Sequence, residues 1–232
     1  MKKVWNKGLT KHTSASVLKT SRTMKRKRID NFLQWREQMK QEGKIRSRYP
    51  ELRRDENLSE LIGVVLGDGH IRKFPRTEEL SIFSNSNNQG FIKRYASLVE
   101  EIFSKKPAIT RHGGDGCTRI RIYQKNIQSR IGVPYSPRGK RKIGIPKWIS
   151  TNDKNIVRYL RGLYEAEGSH SVHEPTYTHK MLFSNRNQSM LKNVFRLVKK
   201  LGFHPHMGKC QVQISRKEEI VRFLSLIQFR KY

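Results

Sequence analysis

Long apolar runs are missing from this chain. No stretch approaches the roughly 18 residues that a membrane span needs, and no apolar signal core follows the N-terminus. Neither membrane insertion nor secretion is therefore expected; the expected place is the cytoplasm, at the nucleoid, or an organelle. Cysteine is scarce. Cys117 and Cys210 stand far apart, too few for a disulfide framework or a four-cysteine zinc site, and they fit a reducing compartment. His204 and His206 precede Cys210, but their spacing reads as loop or strand rather than a metal centre. Acid is scarce as well: 19 Asp and Glu stand against 49 Lys and Arg, giving a formal net charge of +30 over 232 residues. A compact chain this basic repels itself unless a polyanion offsets the charge, and nucleic acid is the usual one. A ribosome-type packing protein would be equally basic, but would have no use for the ordered apolar pattern that follows.

Residues 1–57 differ from the rest, with 17 Lys and Arg against 6 Asp and Glu and few core formers. They read as a basic DNA-binding arm in which Lys7, Lys25, Arg26, Lys27 and Arg28 would meet phosphates; a disordered basic tail is the bland alternative. Within the arm, Ile29, Phe32, Leu33, Trp35, Arg36 and Met39 recur at helical spacing, which predicts a helix over about 29–42 ended by Gly43.

From residue 58 onward the chain repeats itself. "LSELIGVVLGDGHIRK", "LSIFSNSNNQGFIKRYASLVEEIF" and "TRIRIYQKNI" return in the same order as "IVRYLRGLYEAEGSHSV", "MLFSNRNQSMLKNVFRLVKKLGF" and "VQISRKEEI". The expected fold is α+β: two α-β-β-α-β-β-α repeats, 58–131 and 151–232, joined by a linker over 132–150 that holds Pro134, Pro137 and Pro146. Alternation in "TRIRIY" and "CQVQIS" signals strands with one apolar and one polar face. A sheet of that kind could read a DNA groove. Candidates for base contact are Arg76, Ser81, Arg111, Arg119, Arg121, His173, Tyr177, His179, Gln211 and Gln213, without assignment to particular bases.

The second repeat's first helix ends in "YEAEG", with Glu165 and Glu167 where the helix dipole disfavours acid by roughly 0.3–1 kcal/mol each. Gly63 and Gly67 in one helix, and Gly162 and Ala166 in the other, form small-residue stripes four residues apart. Packing of these stripes across a pseudo-two-fold axis would bring Asp68 and Glu167 side by side, each followed by a glycine, Gly69 or Gly168, suited to a left-handed cap. A divalent cation, with DNA phosphates as further ligands, would relieve the repulsion, activate water and stabilise a leaving 3′-oxygen. Glu165 reads as peripheral or solvated, because its counterpart is Leu66.

"LIGVVLGDG" (61–69) and "LRGLYEAEG" (160–168) resemble the two signature helices of the LAGLIDADG homing endonucleases, and "IPKWIS" (145–150) resembles that family's inter-repeat segment. The resemblance implies pseudo-two-fold repeats with these helices at the interface and saddle-shaped antiparallel sheets over the major groove. It implies a monomeric, intron-encoded nuclease that breaks both strands of a long double-stranded DNA target with Mg2+ or Mn2+. The metal would sit at Asp68 and Glu167, beside Gly67 and Ala166. Residues around the scissile phosphates would be Lys125 and Lys217, after the last strands, and Asn85 and Asn185, after the middle strands. Plain surface charges, and caps or turns, remain the alternative roles of these four. Departures from the pattern are Leu66, Arg161 and glutamates at 165 and 167. The stretch "VWNKGLTKHTSASVLKTS" (4–21) resembles modular DNA-binding motifs appended to such nucleases. Other outcomes for the same basic saddle are a non-cleaving transcription regulator or an RNA maturase; the start at Met and the end in "FRKY", without a terminal His-Asn, do not indicate intein splicing.

Overall fold

A computed structural model describes residues 6–44, 49–113 and 116–232. They form two compact units, Met1–Tyr49 and Pro50–Tyr232. The first two residues of the resemblance at 4–21, Val4 and Trp5, lie outside the described residues.

In the first unit, helix α1 (Ala15–Arg26) starts at Ser14, whose hydroxyl accepts from Val17 N, and ends on Lys25 and Arg26, cations that suit the negative helix end. Helix α2 (Leu33–Gln41) is shorter at its start than the periodicity predicts. Asp30 forms the turn before it, accepting from Phe32 N at 3.1 Å and pairing with Arg36. Gly43, at φ +70°, follows its end. Neither helix buries a residue, and Phe32, Leu33 and Trp35 are more than half exposed.

The second unit begins at Pro50, not 58. Leu52 packs against its core, and Asp55 caps helix α3 (Glu56–Gly67) by accepting from Leu58 N at 2.9 Å. The basic arm therefore ends some residues before the predicted boundary of 57. After α3 come β1 (Gly69–Lys73), β2 (Glu78–Asn85), α4 (Gln89–Phe103), β3 (Ala108–His112), β4 (Cys117–Gln124) and α5 (Ile127–Ile131). A short α6 (Lys147–Ser150) closes the linker. The series then returns as α7 (Asp153–Glu167), β5 (Gly168–His173), β6 (Thr178–Ser184), α8 (Gln188–Lys200), β7 (His206–Met207), β8 (Gln211–Ile214) and α9 (Lys217–Ile227). Two antiparallel sheets result, in the orders β1-β2-β4-β3 and β5-β6-β8-β7. The predicted two-repeat α+β order is the observed one. Among the described residues no helix is long and apolar enough to cross a membrane.

Burial follows the strand period of two. Ile71, Leu80, Ile82, Ile120 and Ile122 face the core in the first sheet, as do Met181, Phe183, Val212 and Ile214 in the second. The opposite faces stay polar. Helix α3 is buried without a break from Leu58 to Leu66, and α7 from Tyr159 to Glu165. Stretches buried on every side belong in the middle of a molecule, and these two pack on each other.

One charged cluster lies in that middle. Glu60 is fully buried and takes both oxygens to Arg94, at 2.6 and 2.7 Å. Arg158 approaches it at 2.7 Å and Arg161 at 3.5 Å. Arg161 also donates to Gln228 Oε1 at 2.7 Å and to the Lys231 carbonyl at 2.9 Å. An arginine can thus replace a small residue in the second signature helix because the first helix supplies its carboxylate. Glu165 is not solvated as the sequence reading had it. It is buried and accepts from Arg230 N at 2.7 Å and from the Tyr232 hydroxyl, pinning the segment after α9.

Candidate nucleic-acid interface and acid pair

The two central helices meet backbone to backbone. A Cβ on Gly63 would strike the Tyr159 carbonyl and lie 2.9 Å from Leu163 N; one on Gly162 would strike the Glu60 carbonyl and lie 2.7 Å from Val64 N. Farther along, a Cβ on Gly67 would strike Ala166 Cβ and lie 3.1 Å from Glu167 Cγ. The small-residue stripes therefore face each other, and the helix ends that carry Asp68 and Glu167 adjoin.

Asp68 is the last helical hydrogen-bonding residue of α3, its N–H donating to the Val64 carbonyl at 3.0 Å. Its own carbonyl accepts from Phe83 N at 3.2 Å, which seats β2 on the helix end. The glycines that follow the acids do not serve as left-handed caps. Gly168 has φ −91°, and Gly69 has no positive φ either. They are needed because the chain doubles back on the helix: a Cβ on Gly69 would come within 2.5 Å of Val65 Cα, and one on Gly168 would strike the Tyr164 carbonyl.

Burial, and then the charge of Glu167, push the Asp68 carboxyl up to about 7. Burial also raises Glu167, partly offset by the Asn185 amide, which donates to Glu167 Oε1 at 3.3 Å. A carboxyl whose folded pKa lies above its unfolded value binds extra protons in the folded state between the two values, so stability falls as pH rises from about 4 to about 7. The metal-free protein is expected to melt highest in mild acid and several degrees lower at pH 8. Mg2+ should recover the loss at pH 8 and leave the melting temperature at pH 5 unchanged. A melting series at the two pH values, with and without Mg2+, checks this; equal melting throughout would count against a buried, repelling pair.

The two asparagines are not equivalent. Gly69 pairs with Ile82, but Gly168 pairs with Phe183, so the shared "FSN" triplet sits one place out of register between the repeats. One place in a strand reverses the face. Asn185 consequently reaches Glu167, while Asn85 is exposed on the polar side, although each accepts from the N–H two residues on, Asn187 or Asn87, at 2.8 Å. The first repeat has Ser84 in the place of Asn185. The lysines are also displaced. Ile120 shares a row with Ile82 and Gly69, and Lys125 follows five residues outward, on the order of 16 Å at the usual strand rise. Lys217 stands as far beyond Val212, at the first turn of α9, and both side chains are exposed. The last strands run outward from the acids, so Lys125 and Lys217 stand outward of the pair along the sheets rather than beside it.

Arg138 in the linker does come close, and the sequence reading passed over it. Its guanidinium donates to the Val65 carbonyl at 2.6 Å and the Gly69 carbonyl at 2.5 Å, gripping both sides of Asp68, and to Ser136 Oγ at 2.9 Å. Asn187, which caps α8, holds the linker from the other repeat through the carbonyls of Arg138 (3.1 Å) and Arg141 (2.8 Å). Arg138, Asn185, Asn187 and Gly67 line a cavity of about 180 Å³ beside the acids. Three prolines and glycines had marked this stretch as a plain connector, and no local pattern announces that it cements the two helix ends.

Of the base-contact candidates, Arg119 and Arg121 lie on the polar face of the first sheet, and Gln211 and Gln213 on that of the second. Arg76 is exposed in the β1–β2 turn; Tyr177, at φ 47° and 76% exposed, sits in the β5–β6 turn, and His173 is exposed beside it. Three candidates fall elsewhere. Ser81 is on the polar face but covered, at 1% exposure, with its hydroxyl donating to Glu79 at 2.7 Å. Arg111 pairs with Thr118 and so takes the core-side face at the sheet edge, and His179, in register with Met181 and Phe183, does the same, its ring 6.0 Å from His170. In the first unit Lys7, Lys25, Arg26, Lys27 and Arg28 are all exposed.

The family model of the LAGLIDADG-like domain matches residues 154–228. This chain has the LAGLIDADG fold, and its second repeat matches the LAGLIDADG-like domain. Among solved structures, it resembles the homing endonuclease I-DmoI in complex with DNA and Mn, at 18% identity and a TM-score of 0.51, over 75% of this chain and 97% of that one. It resembles the N-terminal LAGLIDADG domain of DUF199/WhiA at 16% identity and a TM-score of 0.53, over 81% and 87%. Full-length DUF199/WhiA from Thermatoga maritima aligns at 17% identity and a TM-score of 0.51, over 78% of this chain and 57% of that one. At these identities the likeness carries the fold alone. No curated protein matches the chain in sequence.

Proposed function

We propose that this LAGLIDADG protein is a monomeric, sequence-specific endonuclease that uses a divalent cation to cut both strands of a long double-stranded DNA target. One observation carries the reading: two acids, otherwise disfavoured at negative helix ends, are brought together there by helices packed through glycine. The donor set suits a hard cation. It is all oxygen, and among the described residues no cluster of three or more His, Cys, Asp or Glu exists that could hold a metal by itself. Asp68 and Glu167 would hold Mg2+ or Mn2+, with the last-turn carbonyls of Gly67 and Ala166 beside them and with phosphate and water completing the set, the usual mode for Mg2+. Such a cation supplies positive charge to the scissile phosphate and the departing 3′-oxygen. Asn185 fixes the rotamer of Glu167, and Arg138 fixes the end of α3. Complexes of I-DmoI with DNA and Mn, and with DNA and Ca, support the choice of partner and ion.

A LAGLIDADG binder that does not cut, as regulator or RNA maturase, is the second reading, since the same polar sheet faces would serve it. Incubation of the full chain with a plasmid library of random inserts and Mg2+ decides. Double-strand breaks at one recurring sequence support the nuclease; retention without cutting, in Mg2+ and in Mn2+, overturns it.

The first unit is proposed to add affinity without chemistry. Each phosphate neutralised contributes about −0.9 to the slope of log affinity against log salt. A chain starting at Pro50, which retains the Asp55 cap, should bind more weakly at moderate salt and with a flatter slope. Its single-turnover cleavage rate and cut position should match the full chain. An equal slope would remove the first unit from the DNA contact.

A further inference from the structure

We propose that the two polar sheet faces read different bases: the first repeat two guanines through Arg119 and Arg121, the second two adenines at the matching places through Gln211 and Gln213, with Glu79 aiming the arginines. The proposal rests on the DNA-binding part of the function above. The register makes the four positions equivalent. Ile120 and Val212 share the rows of Gly69 and Gly168, so Arg119 and Gln211 stand one row inward of the acids' turn, and Arg121 and Gln213 one row outward. Alternate strand residues are about 6.7 Å apart, close to two steps of the roughly 3.4 Å duplex rise. The two contacts in each half therefore fall about two base pairs apart. Arginine fits the O6 and N7 of guanine in bidentate fashion, and glutamine fits the N6 and N7 of adenine.

Glu79 separates this arrangement from a merely basic surface. Ser81 donates to Glu79 Oε1 at 2.7 Å and Tyr123 also hydrogen-bonds it. Arg119 lies 3.9 Å away, and Arg121 donates to the Tyr123 hydroxyl at 3.2 Å. Burial would raise the Glu79 carboxyl, but the bonds from Tyr123 and Ser81 and the two arginine charges hold it below the usual range, so it is ionised. A fixed anion keeps both guanidiniums off the phosphate backbone; Nε of each arginine is buried, without a hydrogen-bond partner among the described residues, which leaves the outer guanidinium nitrogens to meet a base. On the second sheet the same face offers Ser169, Ser171, Lys180, Leu182 and Ser184 and no acid, which suits neutral amide readers.

The test is binding, not cleavage. The full chain is presented with a random 30-base-pair duplex library in EDTA, and the bound fraction is sequenced. Two guanines spaced by two base pairs in one half, and two adenines at the mirrored places in the other, are expected. Arg121→Ala should lose discrimination at the outer guanine alone, by about 5- to 150-fold. Glu79→Gln should lower guanine discrimination at both places while affinity for mixed-sequence DNA holds or rises, since one negative charge leaves the groove. A merely structural role would lower both affinities together, and that result overturns the assignment to Glu79. Enrichment of other bases at these places overturns the base assignment with DNA binding intact. No enrichment of any sequence overturns sequence-specific reading itself.

Discussion

Asp68→Asn and Glu167→Gln should each abolish double-strand cleavage in Mg2+ and leave DNA affinity within a few-fold. The amide keeps the shape of each side chain but not its charge, so cation ligation is what is lost. A bound cation contributes several kcal/mol of transition-state stabilisation, and 1.36 kcal/mol is tenfold in rate, so a loss of at least about 100-fold is expected. The two variants should differ in stability in a telling way. Among the described residues Asp68 has no hydrogen-bonded partner of the kind that Asn185 gives Glu167, and its carboxyl is pushed up to about 7. Without metal at pH 8, Asp68→Asn should melt higher than the parent, and Mg2+ should no longer raise its melting temperature. Single-turnover cleavage, binding in EDTA and melting curves on both variants are the measurements. Full cleavage by both would remove these acids from the chemistry.

Gly162→Leu should prevent the second unit from assembling, and even Gly162→Ala should cost about 3 kcal/mol or more. Overpacking typically costs about 1–3 kcal/mol where side chains can move aside. Here the atoms in the way are the Glu60 carbonyl and Val64 N, backbone atoms of a buried helix. Neither can yield without parting α3 from α7, and parting them exposes the apolar length of both. For a domain of this size each kcal/mol lowers melting by roughly 2–4 °C, so a drop of about 10 °C is expected for the alanine variant. Cleavage should fall with it, because the same separation draws the acids apart. Gly144 has open space around it, and Gly144→Ala is the matched control, expected to melt as the parent does. Unchanged melting of Gly162→Ala would mean that the helices are not held at backbone distance.

Much of this was legible in sequence for a physical reason. A duplicated unit repeats its apolar period, its small residues and its acids at fixed offsets, and each of those is a local property of one helix or strand. The small stripes at 63, 67, 162 and 166 and the acids at 68 and 167 needed no tertiary information to be matched. What the tertiary structure alone decided depends on how segments are paired. The shared "FSN" triplet suggested equivalent asparagines, but pairing with Gly69 and Gly168 sets the register, and a shift of one residue sends Asn85 to the opposite face from Asn185. Lys125 and Lys217 kept their place in the sequence pattern while the outward course of the strands carried them off. Glu165 looked solvated because its partners, Arg230 and Tyr232, lie 65 and 67 residues away. Arg138 looked like linker charge because the carbonyls that it grips belong to a helix end some 70 residues earlier. Periodicity reports the face that a residue takes within its own element; the partner that waits there is chosen by chain closure, which no local pattern encodes.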